Sequence, residues 1–289
     1  DWEMVKVALD MGASTVRIGF EDSDIVLFGA PFDSTTSFRP GTRFASKDIR
    51  SNSYGLETYS PYQNADLSEI SVFDGGDLEL CIGDQHKALK TIEEYTDEIV
   101  ENGKIPFMIG GEHLVTLAPV KSVLKKYPDL HIIHFDAHTD LREEYLDEPY
   151  SHATVLRRIW DITGDGRIHQ FGIRSGDKPE FEWAKSHTDI HLFNFDGLES
   201  AIESIGDKPV YFTIDLDVLD PSVFPGTGTP EAGGVTFTQL LSAIFKAAKL
   251  NIVGCDTVEL APHYDQSGAS TMTAAKIIRE LLLAIRKGN

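Results

Sequence analysis

The segment HFDAHTD, residues 134–140, carries carboxylate, imidazole and carboxylate at every second position: Asp136, His138 and Asp140. In an extended chain, residues i, i+2 and i+4 face one side, so these three are expected to point together. Further along, YFTIDLD places Asp215 and Asp217 at the same spacing, and FMIGGEH delivers His113 just after two glycines. Four carboxylates in a partly dry cleft repel one another and lose hydration. Protonation, arginines or metal ions can compensate, and two imidazoles in the same set favour metal. Four carboxylates carry −4, which two divalent cations balance. Six ligands, some shared, suit two ions about 3.5–4 Å apart. Oxygen-rich ligation without thiolate suits Mn²⁺ better than Zn²⁺. A lone aspartate at a strand end commonly just starts a turn. Three strand ends carrying D-x-H-x-D, D-x-D and G-E-H point instead to one shared site.

Such a site needs strands to deliver it. Near-continuous apolar runs at 24–31, 104–111, 130–138, 167–173, 189–195, 208–217 and 250–260 read as strands buried on both faces. Helical periodicity appears between them. The stretch 84–103 stops at Gly103, and 114–129 ends in lysines and a proline. The stretch 236–250 opens on a Thr cap, and 269–287 shows Ile277, Ile278, Leu281, Leu282 and Ile285 on one stripe before Arg286, Lys287 and Gly288. Alternating strands and helices imply a mostly parallel sheet covered on both faces. Ligands in open sheets of this kind bind beyond the carboxyl ends of the strands, where all three clusters fall. Two irregular segments, 31–43 and 219–235, are long enough to be functional loops. No repeat or linker divides the chain, so residues 1–289 are expected to form a single domain.

Composition narrows the function. Net charge is −20, which argues against nucleic acid as a partner, because phosphate contacts need a basic surface. It favours cationic small molecules weakly and at long range. Hydrophobic residues at 41% suffice for a large core. The two cysteines, Cys81 and Cys255, share no metal-site spacing and suit a reducing cytoplasm. The N-terminal DWEMVKVALDMG is too polar for a signal peptide, and no apolar run is long enough to span a membrane. The expected location is cytoplasmic.

At GGEHLVTL (110–117), HFDAHTDLR (134–142), SHATVLRR (151–158), YFTIDLDVLDPSVFPGTG (211–228) and TVELAPHYD (257–265), the sequence resembles the ureohydrolases, the family of arginase and agmatinase. The loop PFDSTTSFRPGTRFASKDIR (31–50) is similar too. The resemblance runs from about residue 24 to the last helix. It implies an arginase-like three-layer α/β/α fold around an eight-stranded mostly parallel sheet. It also implies two Mn²⁺ per subunit on His113, Asp136, His138, Asp140, Asp215 and Asp217, the six residues that spacing had selected. A homotrimer or homohexamer is implied as well.

Within the family, the segment DLREEYLDEPYSHAT looks most like agmatinase. Its Glu143, Glu144, Asp147 and Glu148 suit a distal ammonium rather than a carboxylate. The implied reaction is hydrolysis of agmatine to putrescine and urea, by a hydroxide bridging the two manganese ions and attacking the guanidinium carbon. Asp140 would stabilise the tetrahedral intermediate, His152 would shuttle the proton to the leaving amine, and Glu259 would pair with the guanidinium. Alternatives are guanidinobutyrate, formiminoglutamate or arginine as substrate, with Arg142 or Arg174 meeting a carboxylate, or a non-enzymatic homologue. His134 reads as a core histidine or a partner of the ligands. Arg39 and Arg43 read as lining the entrance or holding their loop, Gly226 and Gly228 as turn residues, and Cys255 as a small core residue. Ala153 stands where many relatives have Gly, and His263 is placed near the mouth.

Overall fold

A computed structural model describes residues 18–287. The stretch DWEMVKVALDMG and Gly288 lie outside the described residues. Strand β1 (Ile25–Ala30) leads through a long loop to α1 (Ala45–Asn52). A short antiparallel pair, β2 (Tyr59–Ser60) and β3 (Ala65–Asp66), precedes β4 (Val72–Asp77). Helices and strands then alternate: α2 (Gln85–Glu101), β5 (Ile105–Gly110), α3 (Leu117–Lys126), β6 (His131–Phe135), α4 (Val155–Thr163) and β7 (Ile168–Ile173). They continue as α5 (Lys178–His187), β8 (Asp189–Leu192), α6 (Leu198–Ile205), β9 (Pro209–Asp215), α7 (Phe237–Ala247), β10 (Asn251–Val258) and α8 (Ala269–Lys287).

Eight strands form one sheet in the order β4-β1-β5-β10-β9-β6-β7-β8, and every pairing in it is parallel. Strand pleating sorts side chains onto two cores. Ile25, Leu27, Phe107, Ile109, Ile133 and Phe135 pack with α1, α6, α7 and α8. Val26, Phe28, Met108, Ile132 and Tyr211 pack with α2, α3, α4 and α5. The result is the three-layer arrangement that strand–helix alternation predicts.

Local signals set the helix ends. Asp84 caps α2 by accepting from the backbone N–H of Lys87 at 3.0 Å, and Gly103 after it adopts φ 75°. Thr236 caps α7 through the N–H of Gln239, as the sequence predicts. Two strands end sooner than their apolar runs suggest: β6 at Phe135 and β9 at Asp215. The seven expected strands are all present, and β4 is an eighth that the pattern did not show. No described helix is long and apolar enough to cross a membrane.

Candidate metal centre and active site

Four adjacent strands, β5, β10, β9 and β6, end flush, with Ile109 beside Thr257, Thr257 beside Ile214, and Ile214 beside Phe135. At or just past these ends stand His113, Glu259, Asp215 and Asp136. Adjacent ends thus gather groups far apart in sequence. Nδ1 of His113 lies 3.1 Å from Asp136 Oδ2 and 3.3 Å from both Asp140 Oδ2 and Asp215 Oδ2. Nδ1 of His138 lies 3.0 Å from Asp217 Oδ2 and 3.4 Å from Asp136 Oδ1. The six residues selected by spacing therefore meet, and Asp136 touches both histidines. All but the partly exposed His138 are buried.

Pleat alternation does not produce this meeting, because β6 has already ended. Loop conformation does. Asp136 and Asp215 each accept the backbone N–H two residues on, from His138 and Asp217. Each aspartate starts a turn and faces the cluster at once. Asp140 sits at φ 51° and Glu259 at φ 70°, left-handed conformations that cost a non-glycine residue energy and concentrate at functional sites.

Hydrogen-bond direction tests the fit to metal. Asp256, fully buried, accepts from Tyr211 Oη at 2.7 Å and from Thr213 Oγ1 at 2.6 Å. Thr213 Oγ1, having given its proton away, accepts from His113 Nε2 at 2.9 Å. That places the neutral ring's hydrogen on Nε2 and leaves the Nδ1 lone pair facing three carboxylate oxygens. A proton on Nδ1 serves one of them; a cation among them serves all. His134 acts similarly on Asp136: Nδ1 accepts from Gln170 at 3.1 Å, so Nε2 donates to Asp136 Oδ2 at 2.8 Å. His134 is both a buried core histidine and an orienting partner of a candidate ligand.

Burial would lower His113 and His138, but the carboxylates around them raise both well above the ordinary imidazole range, so protons and cations compete for these rings. Burial, then the Asp136 charge, pushes Asp140 up to about 7. Burial, then Asp217 and Asp136, drives Asp215 well above the usual carboxylate range. Burial would raise Asp136 too, but His134, His113 and His138 hold it well below that range. Carboxylates forced up by one another's charge are what bound cations relieve. The residues fit two divalent ions.

A cavity of about 220 Å³ opens beside the cluster, lined among others by Ser37, His138, Asp140, Tyr145, His152 and Glu259. Glu259 accepts the backbone N–H of His113 on Oε1 at 2.7 Å, which leaves Oε2 for a ligand. Burial, then Glu112, raises its pKa well above the ordinary value. His152 Nε2 lies 3.4 Å from Ser37 Oγ, while its buried Nδ1 has no hydrogen-bond partner. Burial, then His138, pushes His152 down to about 4.

Other candidates divide between the cavity wall and positions away from it. None of Glu143, Glu144, Asp147 and Glu148 lines the cavity. The first three are exposed, and Glu148 Oε1 accepts the N–H of Tyr150 at 2.9 Å. Arg174 is spent on backbone carbonyls, including Asp217 at 2.7 Å and Glu231 at 2.8 Å. Arg142 lines the cavity but pairs with Glu180 at 3.4 Å and Asp177 at 3.5 Å. Arg43 pairs with Asp33, and Arg39 stacks 3.8 Å over Tyr264, so both hold the loop. Gly226 and Gly228 are close-approach positions rather than left-handed turns: a Cβ on Gly226 would come 2.7 Å from that of Ser270. Ala153 lines the cavity; His263 does not, and its ring meets Phe44 edge-on at 4.8 Å. Cys255 is buried in β10, as expected. Sequence reasoning missed Tyr211, Thr213 and Asp256. Tyr211 and Thr213 share the parity of Asp215, and that was the signal available.

The model of the arginase family matches residues 23–284. The chain is 49% identical to the agmatinase of Bacillus subtilis over 276 residues, covering 94% of this chain and 95% of that one. A solved Clostridium difficile structure superposes with TM-score 0.91 at 54% identity, over 93% of this chain and 99% of that one. The agmatine ureohydrolase of Thermoplasma volcanium gives TM-score 0.85 at 34% identity, over 99% and 96%.

Proposed function

The chain belongs to the arginase family, and from that premise we propose that it is a hydrolase converting agmatine and water to putrescine and urea. The observation that carries the chemistry is His113 Nδ1 facing three buried carboxylate oxygens at 3.1–3.3 Å. Likeness to an agmatinase at 49% identity over nearly the whole length supports the substrate. So does the absence of an unpaired cation at the cavity wall among the described residues, since Arg142 is already neutralised. A carboxylate-tailed substrate would lack a partner there.

In this reading His113, Asp136, Asp140 and Asp215 would hold one divalent ion, and Asp136, His138 and Asp217 would hold the other. Mn²⁺ is the proposed metal on its preference for oxygen ligands. When bound, the pair supplies an activated water by lowering its pKa toward about 7. Glu259 receives the guanidinium on Oε2 and fixes its plane. Burial keeps His152 neutral and ready to take up a proton, and at Nε2 it hands the proton on to the leaving amine. Residues 1–289 are taken as a single ureohydrolase domain acting as a homotrimer or homohexamer.

Urea release by the Mn²⁺-loaded protein tests the substrate, with agmatine, guanidinobutyrate, formiminoglutamate and arginine compared at equal concentration. Selectivity for agmatine is expected. Preference for another of the four would keep the mechanism and replace the substrate. Silence on all four with metal bound would sink the proposal.

A further inference from the structure

Glu112 precedes His113, and its carboxylate is fully buried. Among the described residues no lysine or arginine pairs with it. Three donors from one loop converge on it instead. Thr35 N–H donates to Oε2 at 2.9 Å, Thr36 Oγ1 to Oε2 at 3.2 Å, and Thr35 Oγ1 to Oε1. A buried carboxylate is costly unless its donors stay in place, so Glu112 fixes where this loop can lie. The loop's far end is fixed by Asp33, which accepts from Gly41 N at 2.8 Å and Arg43 N at 3.2 Å.

Thr35 passes the constraint on. Having given its proton to Glu112, its Oγ1 accepts the backbone N–H of His152 at 3.1 Å. Two residues later, Ser37 Oγ reaches toward His152 Nε2. A polar chain thus runs from the residue beside a candidate metal ligand to the cavity wall.

We propose that Glu112 is a positioning residue for the reaction, setting His152 at the cavity wall through the Thr35 hydroxyl. The proposal rests on reading His152 as the proton shuttle.

Thr35→Val removes the hydroxyl and leaves the Thr35 N–H bond to Glu112. Because small misplacements at a reacting centre cost up to about a hundredfold, kcat for urea release should fall about tenfold or more, with KM changed by less than about twofold. Thr35→Ser should restore the rate. In a His152→Asn background, Thr35→Val should add no further loss, since residues acting as one unit are non-additive. An equal loss in both backgrounds, or a wild-type rate in Thr35→Val, overturns the proposal. A crystal structure of metal-loaded Thr35→Val asks the same question without turnover. The His152 ring should shift by about 0.5 Å or more, the tolerance of a positioned site; an unmoved ring overturns the proposal. A wild-type protein that releases no urea would sink the reaction reading, and the ring position would still decide this one.

Discussion

The proposed reaction asks two tasks of the Glu259 carboxylate. Oε1 anchors the backbone of His113, and in the proposed reaction Oε2 would receive the guanidinium. Glu259→Gln keeps an acceptor for His113 and removes the charge. The expected outcome is a fall in kcat/KM for agmatine of about 10- to 100-fold, the worth of a charge-assisted hydrogen bond. Bound metal, measured by atomic absorption, should be unchanged. Loss of metal from this variant would show that Glu259 holds the centre rather than the substrate. At this scale the candidate ligands, His152 and Glu259 were legible because chemistry-bearing residues cluster in short motifs. Asp256 was not, because a lone acid within VGCDTVEL shows its role only once Thr213 and Tyr211 lie beside it on the next strand.

Strands β6, β7 and β8 are tied by side chains as well as by backbone. Nδ1 of His131 meets Nε2 of His169 at 3.1 Å; Nδ1 of His169 meets Asp189 at 2.9 Å, as does His191 Nε2. Asp129, Arg167 and Lys208 are the other charges acting on His131, and burial, then His169, pushes it down to about 4. In the unfolded chain it takes a proton below about 6.5. The unfolded state therefore binds more protons between these values. Stability is full above about 6.5 and falls as pH drops toward 4. Urea-unfolding midpoints at pH 7 and pH 5 should differ less in His131→Asn than in the wild type; equal differences would remove His131 as a source. Elements were legible as apolar runs, and these are buried on both faces in the inner strands but not in β8, an edge strand that is only partly buried. Strand β4, VFDGGD, was not legible, because ionic contacts hold this edge strand. Its Asp74 takes two hydrogen bonds of 2.9 Å from the buried Arg50 of α1, and its Asp77 pairs with the same guanidinium.

For the whole molecule, a net charge of −20 with four carboxylates packed at one sheet end makes cation binding a matter of stability as well as catalysis. A ligand that binds only the folded state stabilises it by about 2.7 kcal/mol at a hundredfold excess over Kd. The melting temperature should rise with the logarithm of Mn²⁺ concentration, and Asp136→Asn, which touches both histidines, should blunt the rise. A melting temperature indifferent to Mn²⁺ would argue against the centre. Strand order adds a further consequence. Strand β10 alone joins β4-β1-β5 to β9-β6-β7-β8, with His113 beyond the first group and the four aspartates beyond the second. With His138, all six residues precede residues 251–258 in the chain and are synthesised before them. A chain made as far as residue 250 thus carries every candidate ligand but lacks the strand that joins the two groups. Only the set that includes His113 spans β10, so full occupancy of both sets is expected only after that strand has paired with β5 and β9.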